Sequence, residues 1–310
     1  MSHSKQITDT IMMVRPANFG YNVETAENNA FQVNDTSIPP EKISELAKDE
    51  FDQFVEKLNA NGIEVIIIED SADPVKMDAI FPNNWISFHD NGQIITYPMF
   101  SPIRRQERRP EVVEMMVDQF HFSDIINLEK KYESSDRFLE GTGSMILDRE
   151  NQLVYACLSV RTHPDLVRDF CHQINYEPIL FHSVDQQAQE IYHTNVMMSV
   201  GDNFAVICLE AIPDREERAF VVEKLEQTGK EIIEISMHQM ASFAGNMLQV
   251  RNKTGKTFLV MSEQAYHSLT PEQVKIIEQK TNILYSPLKV IETYGGGSAR
   301  CMMAEVFRPE

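Results

Sequence analysis

Basic residues are scarce in this sequence, and that scarcity limits what the protein can bind. The 310 residues include 28 Lys and Arg against 47 Asp and Glu, which gives a formal net charge of −19. A nucleic-acid partner requires clustered Lys and Arg to neutralise phosphates. The only dense basic stretch, Arg104 to Arg109, is too short for a duplex footprint. We therefore expect no nucleic-acid partner.

Long apolar runs and paired cysteines are also missing. The most apolar stretches, such as Val65-Ile66-Ile67-Ile68, are far shorter than the ~20 residues that span a bilayer. With a polar beginning, Met1 to Thr10, this predicts a cytoplasmic protein without a membrane partner. Four cysteines without a Cys-x-x-Cys pair indicate reduced thiols. Nine histidines without a His-x-His or His-x-x-x-His pair predict no metal site. We expect no cofactor either, because the glycine-rich segments lack a P-loop or Rossmann context.

The chain does contain repeated short apolar runs that pair around turn residues. Each pair is typical of a β-hairpin. The predicted hairpins join Trp85–His89 to Gln93–Tyr97, Ser144–Asp148 to Leu153–Cys157, Asn195–Val200 to Phe204–Cys208, and Met247–Arg251 to Thr257–Met261.

A helical pattern and a further strand follow every hairpin, so the unit is β-β-α-β. The predicted helices are Pro110–Phe120, Pro164–Tyr176, Pro213–Gln227 and Gln264–Lys280, and the strands after them are Asp124–Leu128, Pro178–His182, Glu231–Ile235 and Asn282–Tyr285. A fifth unit forms if Met302–Phe307 pairs with Ile11–Arg15, followed by the helix Ser44–Asn61 and the strand Glu64–Glu69. The sequence thus predicts an α/β fold of five modules, closed by its terminal strands within a single domain, residues 1–310.

The residues at the five hairpin starts follow a regular spacing. They are Asn84, Glu140, His193, Asn246 and Cys301, separated by 56, 53, 53 and 55 residues. Equivalent positions of a radial repeat converge near its axis, which would bring a thiol, an imidazole and a carboxylate together. Such a set is typical of an activated nucleophile. Asn246, next to Gly245, is predicted to shape a turn.

Three segments resemble motifs of the guanidino-group-modifying superfamily, also called penteins. They are Phe-Leu-Glu-Gly-Thr-Gly (138–143), Tyr-His-Thr-Asn (192–195) and Gly-Gly-Gly-Ser-Ala-Arg-Cys (295–301). The superfamily includes arginine deiminases, dimethylarginine dimethylaminohydrolases, amidinotransferases and succinylarginine dihydrolase on a five-bladed α/β propeller. The segment Met-Met-Val-Arg-Pro-Ala-Asn-Phe (12–19) looks closest to the branch of citrulline-utilisation hydrolases. The resemblance implies Cys301 as nucleophile, His193 as general acid and base, and Glu140 as the carboxylate for a substrate nitrogen.

Further matches imply an amino-acid substrate. Ser-Pro-Ile-Arg-Arg (101–105) resembles a dimethylaminohydrolase segment whose first arginine, here Arg104, binds the substrate carboxylate. Arg161, in Ser-Val-Arg-Thr (159–162), resembles a second such anchor. Asp78 lies where that family has a substrate-contacting aspartate. The planar fork of arginine matches a carboxylate, which supports this assignment.

The departures from the family pattern concern charge. Deiminases carry carboxylates that clamp a guanidinium at positions that correspond here to Asn84, with Asn83 beside it, and to Asn195. A guanidinium is a cation with donors only, whereas a ureido group is neutral and offers a carbonyl acceptor. The amides therefore favour a ureido substrate such as citrulline, hydrolysed to ornithine, ammonia and carbon dioxide through an S-carbamoyl-cysteine.

Two alternatives stay open at this point. A guanidino-modifying enzyme, whether deiminase, dimethylaminohydrolase or amidinotransferase, would need Asp78 or Asp90 to replace the missing carboxylates. A non-enzymatic binding module on the same propeller would be expected to have lost the Cys, His and Glu set, which is retained here. The polar stretch Phe19–Pro40 is a candidate for covering the site. The sequence leaves open whether the protein forms a homo-oligomer.

Overall fold

The computed structural model describes residues 5–309, and the strands in this range form five small sheets of three strands each. The strands are β1 (Thr10–Arg15), β2 (Glu64–Glu69), β3 (Ile86–Phe88), β4 (Gln93–Thr96), β5 (Asp124–Asn127), β6 (Ile146–Asp148), β7 (Leu153–Cys157), β8 (Glu177–Phe181), β9 (Met198–Val200), β10 (Phe204–Ile207), β11 (Glu231–Glu234), β12 (Leu248–Arg251), β13 (Thr257–Ser262), β14 (Asn282–Ser286) and β15 (Ala304–Glu305). Residues 1–4 and 310, which the predicted single domain includes, lie outside the described residues.

Four of the sheets share one topology, which confirms the predicted β-β-α-β units. In each, two strands form an antiparallel hairpin and a third strand pairs in parallel after a helix. The hairpin of β3 and β4 turns at Gly92, whose φ of 85° lies in the left-handed region that favours glycine. The short apolar runs and the turn residues at their tips explain why these hairpins are predictable.

The fifth sheet joins the two ends of the chain, as predicted. Strand β1 lies between β15, which is antiparallel to it, and β2, which is parallel. Ile11 pairs with Glu305, and Met12 pairs with Ile66 on the other side. The observed β15 is shorter than the predicted Met302–Phe307, because residues 299–302 form a 3₁₀ turn instead.

The helices lie between the strands and cover the sheets. They are α1 (Val23–Ala26), α2 (Pro40–Ala60), α3 (Pro110–Phe120), α4 (Glu129–Tyr132), α5 (Gly141–Ser144), α6 (Pro164–Ile174), α7 (Arg215–Gln227), α8 (Met237–Ala241), α9 (Glu263–Ser268), α10 (Pro271–Glu278) and α11 (Lys289–Gly295). Helix α2 buries Phe51, Phe54 and Leu58 on one face, the spacing expected of an amphipathic helix. It begins at Pro40, before the predicted Ser44, since proline is favourable in the first turn. Helix α6 ends at Ile174 because Asn175 adopts a left-handed conformation.

Short helical turns precede the first strands of the hairpins and connect one sheet with the next. The hydroxyl of Thr142 donates to the carbonyl of Asn83, and that of Thr194 donates to Ser144. The amide of Asn246 donates to the carbonyl of Asn195. These turns replace strand residues at the predicted hairpin starts, where Pro82–Asn84, Gly141–Ser144 and Thr194–Val196 are helical. The equivalent positions of the repeat therefore lie side by side.

Gly141 shows how closely these turns pack. Its φ is 49°, and an added Cβ would lie 2.2 Å from the backbone oxygen of Asn83. Only glycine fits at this position, because any side chain would collide with a backbone that has no room to retreat. Across the described residues, none of the helices has the length and apolar character to cross a bilayer.

Candidate active site

Cys301 lies in the 3₁₀ turn Ala299–Met302, directly after the glycine-rich loop that ends helix α11. Its side chain is buried, with 5% exposure. Two amide groups contact its sulfur: Asn195 Nδ2 and Asn246 Nδ2 each lie 3.3 Å from Sγ. The other three cysteines, Cys157, Cys171 and Cys208, are free and buried in the hydrophobic core. Cys301 differs from them in that two side-chain amides contact its sulfur.

His193 and Glu140 form a buried pair. His193 Nε2 lies 2.8 Å from Glu140 Oε2, and the other carboxylate oxygen accepts the backbone N–H of Phe100 at 2.9 Å. A carboxylate accepts hydrogen bonds, so Nε2 carries the proton that it donates to Glu140. In the neutral imidazole this leaves the lone pair on Nδ1.

Burial and charge set the protonation of this pair. Burial disfavours the charged form of Glu140, but Arg161 and the hydrogen bond from His193 outweigh it and hold the pKa of the carboxyl well below its ordinary value. Burial lowers the pKa of His193 to about 4, and the hydrogen bond to Glu140 offsets only part of that shift. At neutral pH the pair is therefore an anionic Glu140 and a neutral His193 with a free lone pair.

A polar segment, residues 22–32, lies against the site, and we call it the cover segment. Asn22 Nδ2 donates to Asp78 Oδ2 at 2.7 Å, and Thr25 Oγ1 lies 3.3 Å from the same oxygen. Arg161 donates from Nε to Asn28 Oδ1 at 2.8 Å and from Nη2 to the carbonyl of Thr25 at 3.0 Å. The predicted covering stretch Phe19–Pro40 contains this segment.

Arg161 lies between the cover segment and the buried pair. Its Nη1 is 3.5 Å from Glu140 Oε2, and its guanidinium lies 4.9 Å above the ring of Tyr192. The side chain has 2% exposure and borders the site cavity. A substrate carboxylate would reach Arg161 by replacing Asn28 and Thr25 of the cover segment.

Arg104 is held differently from what a substrate anchor requires. Its Nε and Nη2 each donate to a carboxylate oxygen of Glu107 at 2.9 Å, which occupies the planar fork. Its Nη1 donates to Asn84 Oδ1, also at 2.9 Å. Burial raises the pKa of Glu107 to about 7, although Arg104 opposes the shift. Arg104 thus contacts the predicted site residue Asn84 rather than leaving its fork open for a ligand.

Asn83, which does not border the cavity, has both amide atoms without a hydrogen-bond partner within residues 5–309. Three further buried polar atoms of predicted site residues also have none: Asn84 Nδ2, Asp78 Oδ1 and Asn195 Oδ1. A buried polar atom without a partner costs free energy of ~1–3 kcal/mol. Such atoms in one place are consistent with partners supplied by a ligand. Asn84 Nδ2 is a donor, and Asp78 Oδ1 and Asn195 Oδ1 are acceptors. A ligand that pairs with all three must therefore offer one acceptor and two donors.

The cavity at this place is lined by residues of the cover segment and of the loops, turns and helix end that connect the strands: Thr25, Asn29, Asp78, Phe81, Asn84, Arg104, Arg161, Tyr192, His193, Gly295, Gly296, Gly297 and Cys301. It leaves a volume of about 20 Å³ for the centres of water molecules. Thr25 and Asn29 of the cover segment form one of its walls.

Gly143 allows two of the lining groups to come close. An added Cβ there would lie 2.4 Å from Asn84 Nδ2 and 2.8 Å from His193 Nδ1. These contacts are shorter than real Cβ atoms show. The absent side chain therefore lets the open amide donor of Asn84 and the lone pair of His193 face the same small space.

Of the nine predicted site residues, six line the cavity: Asp78, Asn84, Arg104, Arg161, His193 and Cys301. Glu140 and Asn195 lie directly behind it, bonded to His193 and to Cys301. Asn83 is fully buried and does not border it; its carbonyl accepts from Thr142 instead.

Sequence reasoning did not find Glu107, the cover-segment contacts or the position of Asn246 on the sulfur. Asn246 had a usable signal, since it is in register with the other four positions of the repeat. Glu107 had none. Across the described residues, His, Cys, Asp and Glu form no group of three that could hold a metal ion.

The sequence model for the family described as "N,N dimethylarginine dimethylhydrolase, eukaryotic" matches residues 15–308. The chain belongs to this family, which lies within the guanidino-group-modifying superfamily. No curated protein matches it.

Solved structures show the same fold at low sequence identity. The N-terminal domain of ArgZ, an arginine dihydrolase from cyanobacteria, has a TM-score of 0.74 and 16% identity over 97% of this chain and 98% of the domain. The present chain spans 41% of full-length ArgZ, with a TM-score of 0.75 and 15% identity. A mutant dimethylarginine dimethylaminohydrolase from Pseudomonas aeruginosa, complexed with citrulline, has a TM-score of 0.66 and 13% identity over 97% of this chain and 99% of its own.

Proposed function

We propose that the protein is a cysteine-dependent hydrolase of a ureido amino acid, with citrulline as its substrate. Cys301 is the nucleophile, His193 moves protons, and Glu140 orients His193. The products are ornithine, ammonia and carbon dioxide. No cofactor takes part in this scheme.

The orientation of the Asn84 amide is the observation that carries the proposal. A guanidinium has donors only, so the atom of Asn84 that lies 2.9 Å from Arg104 Nη1 is the acceptor Oδ1. The NH₂ group must then point away from Arg104. Asn84 Nδ2 and His193 Nδ1 both lie next to the position that a Cβ of Gly143 would take, 2.4 Å and 2.8 Å from it. Asn84 therefore offers the cavity a donor.

A donor at this place distinguishes the two head groups. A ureido carbonyl can accept a hydrogen bond from Asn84 Nδ2, whereas a guanidinium would present N–H to N–H and leave both unpaired. Unpaired buried donors cost binding free energy, and sites built to hydrogen-bond a substrate group reject analogues without that group. Asn84 therefore favours the ureido group, and Arg104 and Glu107 keep it in this orientation.

The remaining polar groups suit the rest of the molecule. Asn195 Oδ1, an acceptor without a partner among residues 5–309, lies on the side chain that contacts Cys301 and suits an N–H of the ureido group. Asp78 Oδ1 suits an ammonium or a further N–H. Arg161 is the anchor for the substrate carboxylate, because it borders the cavity and its Nε and Nη2 are bound to the cover segment, while Nη1 lies 3.5 Å from Glu140 Oε2.

The first chemical step breaks the bond between the ureido carbon and the side-chain nitrogen. The thiolate of Cys301 adds to the carbon, and the proton from the thiol is held on His193 Nδ1, where Glu140 stabilises the imidazolium. Asn84 Nδ2 donates to the oxygen as negative charge develops on it. The imidazolium then protonates the leaving nitrogen, which departs as ornithine and leaves S-carbamoyl-cysteine.

The second step hydrolyses this thioester. Neutral His193 takes a proton from water as the water adds to the carbamoyl carbon, and it returns the proton as the Cys301 sulfur leaves. The released carbamate breaks down to ammonia and carbon dioxide. A pKa of His193 near 4 keeps the imidazole neutral before each attack at neutral pH.

A guanidino substrate is the second candidate, and the family membership together with Asp78 favours it. Asp78 has 2% exposure, borders the cavity and has one carboxylate oxygen with no partner within the described chain. This anion can pair with a guanidinium in place of the missing clamp residues. ArgZ is called an arginine dihydrolase, and the related protein AgrE binds L-arginine in its structure. An arginine dihydrolase would hydrolyse the guanidino group first and then the ureido group of the product.

We further propose that the five sheets are the blades of a closed propeller in a single cytoplasmic domain. The pairing of β1 with β15 and the hydrogen bonds between successive helical turns support closure.

Incubation with single substrates separates the candidates. The protein is given citrulline, arginine or asymmetric dimethylarginine in separate reactions, and amino acids and ammonia are measured. Cys301→Ala controls for contaminating activity, and Cys208→Ala controls for the loss of any buried thiol. Cys208→Ala should retain turnover, since Cys208 lies in the hydrophobic core.

Ornithine and ammonia from citrulline alone support the proposal. Ornithine from arginine, with two ammonia for each ornithine, supports the dihydrolase alternative. Citrulline as the end product from arginine or dimethylarginine assigns the protein to guanidino hydrolysis and contradicts the proposal. No product from any of the three, with binding retained, favours the binding module.

A further inference from the structure

Asn246 occupies the one repeat position that the proposed mechanism leaves without a role. Its side chain is buried, with 1% exposure. Asn246 Oδ1 accepts the backbone N–H of Arg300 at 3.0 Å, and Nδ2 donates to the carbonyl of Asn195 at 2.9 Å. A backbone N–H can only donate and a carbonyl can only accept, so both partners fix the same orientation of the amide. The NH₂ group is therefore the end nearer to Cys301 Sγ, at 3.3 Å against 3.7 Å for Oδ1, which the thiol can reach as a donor.

We propose that Asn246 is a catalytic residue that, together with Asn195, stabilises the thiolate of Cys301 by hydrogen bonding. Each amide places one N–H donor on the sulfur at 3.3 Å. Hydrogen bonds to an ionised acceptor are about twice as strong as those to a neutral one, so the pair favours the thiolate over the thiol.

The proposed function explains why such donors are required, and this inference rests on it. A ureido substrate is neutral and brings no positive charge to the sulfur. A buried thiol resists ionisation unless something compensates for lost hydration. Cys301 has 5% exposure, so the compensation has to come from the protein.

The charged groups around Cys301 are already paired with one another. Arg104 is bound to Glu107, Arg161 to Glu140 and the cover segment, and His193 is neutral at pH 7. The guanidinium of Arg300 is bound to Glu305 at 2.7 Å and to the carbonyl of Met303. The other titratable groups that face this region are Asp78, Glu140 and Tyr192, which bring no positive charge. The two amides are the donors that lie directly on the sulfur.

The experiment titrates the thiol in the free enzyme. Thiolate absorbance in the ultraviolet is followed against pH for the wild type, Asn246→Ala and Asn195→Ala, and the curve of Cys301→Ala is subtracted from each. Asn195→Ala is the cleaner variant, because its side chain contacts the sulfur while its backbone carbonyl stays in place for Asn246. Asn59→Ala, on the exposed face of α2, is the matched control.

We expect the midpoint of thiolate formation to move up by about one pH unit in each variant, the size of one hydrogen bond to a charged group. At neutral pH kcat/KM should fall about 10-fold, with recovery at higher pH, and Asn59→Ala should match the wild type. A purely structural role of the two amides would lower activity equally at every pH and leave the midpoint of thiolate formation unchanged. An unmoved midpoint in both variants would overturn the inference.

The titration uses no substrate, so it is independent of the proposed function. If citrulline is not hydrolysed but the midpoint shifts, the amides still stabilise the thiolate and the substrate assignment is wrong. If citrulline is hydrolysed and the midpoint is unmoved, this inference fails while the function stands.

Discussion

Two buried polar clusters of the molecule differ in how completely their hydrogen bonds are made. In the first, the candidate active site, Asn84, Asp78 and Asn195 each have one atom without a partner in the described chain. The second, which we call the Gln6 cluster, consists of Gln6, Arg300 and Glu305. There, Gln6 donates to the carbonyls of Leu147 and Val200 and accepts from the backbone of Arg149, while Arg300 is bound to Glu305.

The difference shows which buried polar groups stabilise the fold and which are available to a ligand. Both clusters are polar and nearly inaccessible, so burial alone does not separate them. In the Gln6 cluster, Gln6 connects strands of two sheets and makes its three hydrogen bonds with backbone groups, while Ser199 Oγ, which lines the same cavity as Gln6, has no partner in the described chain. In the site, the backbone supplies few partners and the side chains leave three atoms open. We therefore expect changes in the site to affect catalysis and changes in the Gln6 cluster to affect stability.

The largest effect is expected for Glu140→Gln in the site. The amide keeps an oxygen for the N–H of Phe100, so the fold should be retained, but the imidazolium of His193 loses its anionic partner. General acid and base catalysis contributes ~10²–10⁴-fold, and kcat for citrulline should fall within that range. Glu177→Gln, a surface partner of Lys224, should leave kcat unchanged. Equal losses in both variants would contradict the role of Glu140.

The same variant predicts a direction for the pH dependence. His193 must be neutral to accept the thiol proton, and burial lowers its pKa to about 4 against the opposing effect of Glu140. The acid limb, at which kcat/KM falls as the pH is lowered, should therefore lie below the pH range in which an ordinary imidazole titrates. Removing the charge of Glu140 makes the imidazolium less stable, so the limb should move to still lower pH. A limb near the ordinary imidazole pKa would contradict the lowered pKa of His193.

A smaller loss is expected for Gly143→Ala, which narrows the space shared by Asn84 and His193. The new Cβ would lie 2.4 Å from Asn84 Nδ2, so the amide and the imidazole must both shift. Displacement of reacting groups by about 1 Å can cost ~10²-fold in rate. Gly20→Ala is the control, because its Cβ would meet only Met77 Sδ at 3.7 Å. Steady-state kinetics of both variants would separate the effect of position from that of glycine replacement.

The smallest catalytic effect is expected for Gln6→Ala, in the other cluster. It removes three hydrogen bonds and leaves buried backbone groups without partners, which should lower the free energy of unfolding by about 1–3 kcal/mol. At temperatures where the variant is folded, kcat/KM should stay within about 2-fold of the wild type. Urea unfolding measures the first quantity, with the exposed Gln53→Ala as control. A large loss of activity without a loss of stability would contradict the expectation that the Gln6 cluster affects stability rather than catalysis.

The fold was predictable because its signals are local and repeated. Short apolar runs around turns such as Asp90-Asn91-Gly92 specify each hairpin, and prolines such as Pro110 mark helix starts. The spacing of the repeat then placed Glu140, His193 and Cys301 at equivalent positions without knowledge of any contact. The structure brings His193 to Glu140 at 2.8 Å.

The parts that were not predictable depend on contacts between distant segments. The i,i+3 spacing of Arg104 and Glu107 in one turn allows their ion pair, but nothing local indicates that Arg104 also donates to Asn84, which lies 20 residues earlier in the chain. The role of Arg104 as a carboxylate anchor stays a prediction, although its Nε and Nη2 are bound to Glu107 in this structure. Asn246 was assigned to a turn because Gly245 precedes it, although its register in the repeat was a signal for the site.

The central claim is that the Asn84 amide presents a donor to the substrate, and Asn84→Asp tests it most directly. The aspartate keeps an oxygen for Arg104 and replaces the NH₂ group with a second oxygen at nearly the same position. We predict that kcat/KM for citrulline falls about 10²-fold, as expected when a hydrogen-bond donor becomes an acceptor facing an acceptor, and that hydrolysis of arginine rises. Asn83→Ala, one residue away and outside the cavity, should change neither kcat/KM for citrulline nor the hydrolysis of arginine. Unchanged citrulline hydrolysis in Asn84→Asp would contradict the account.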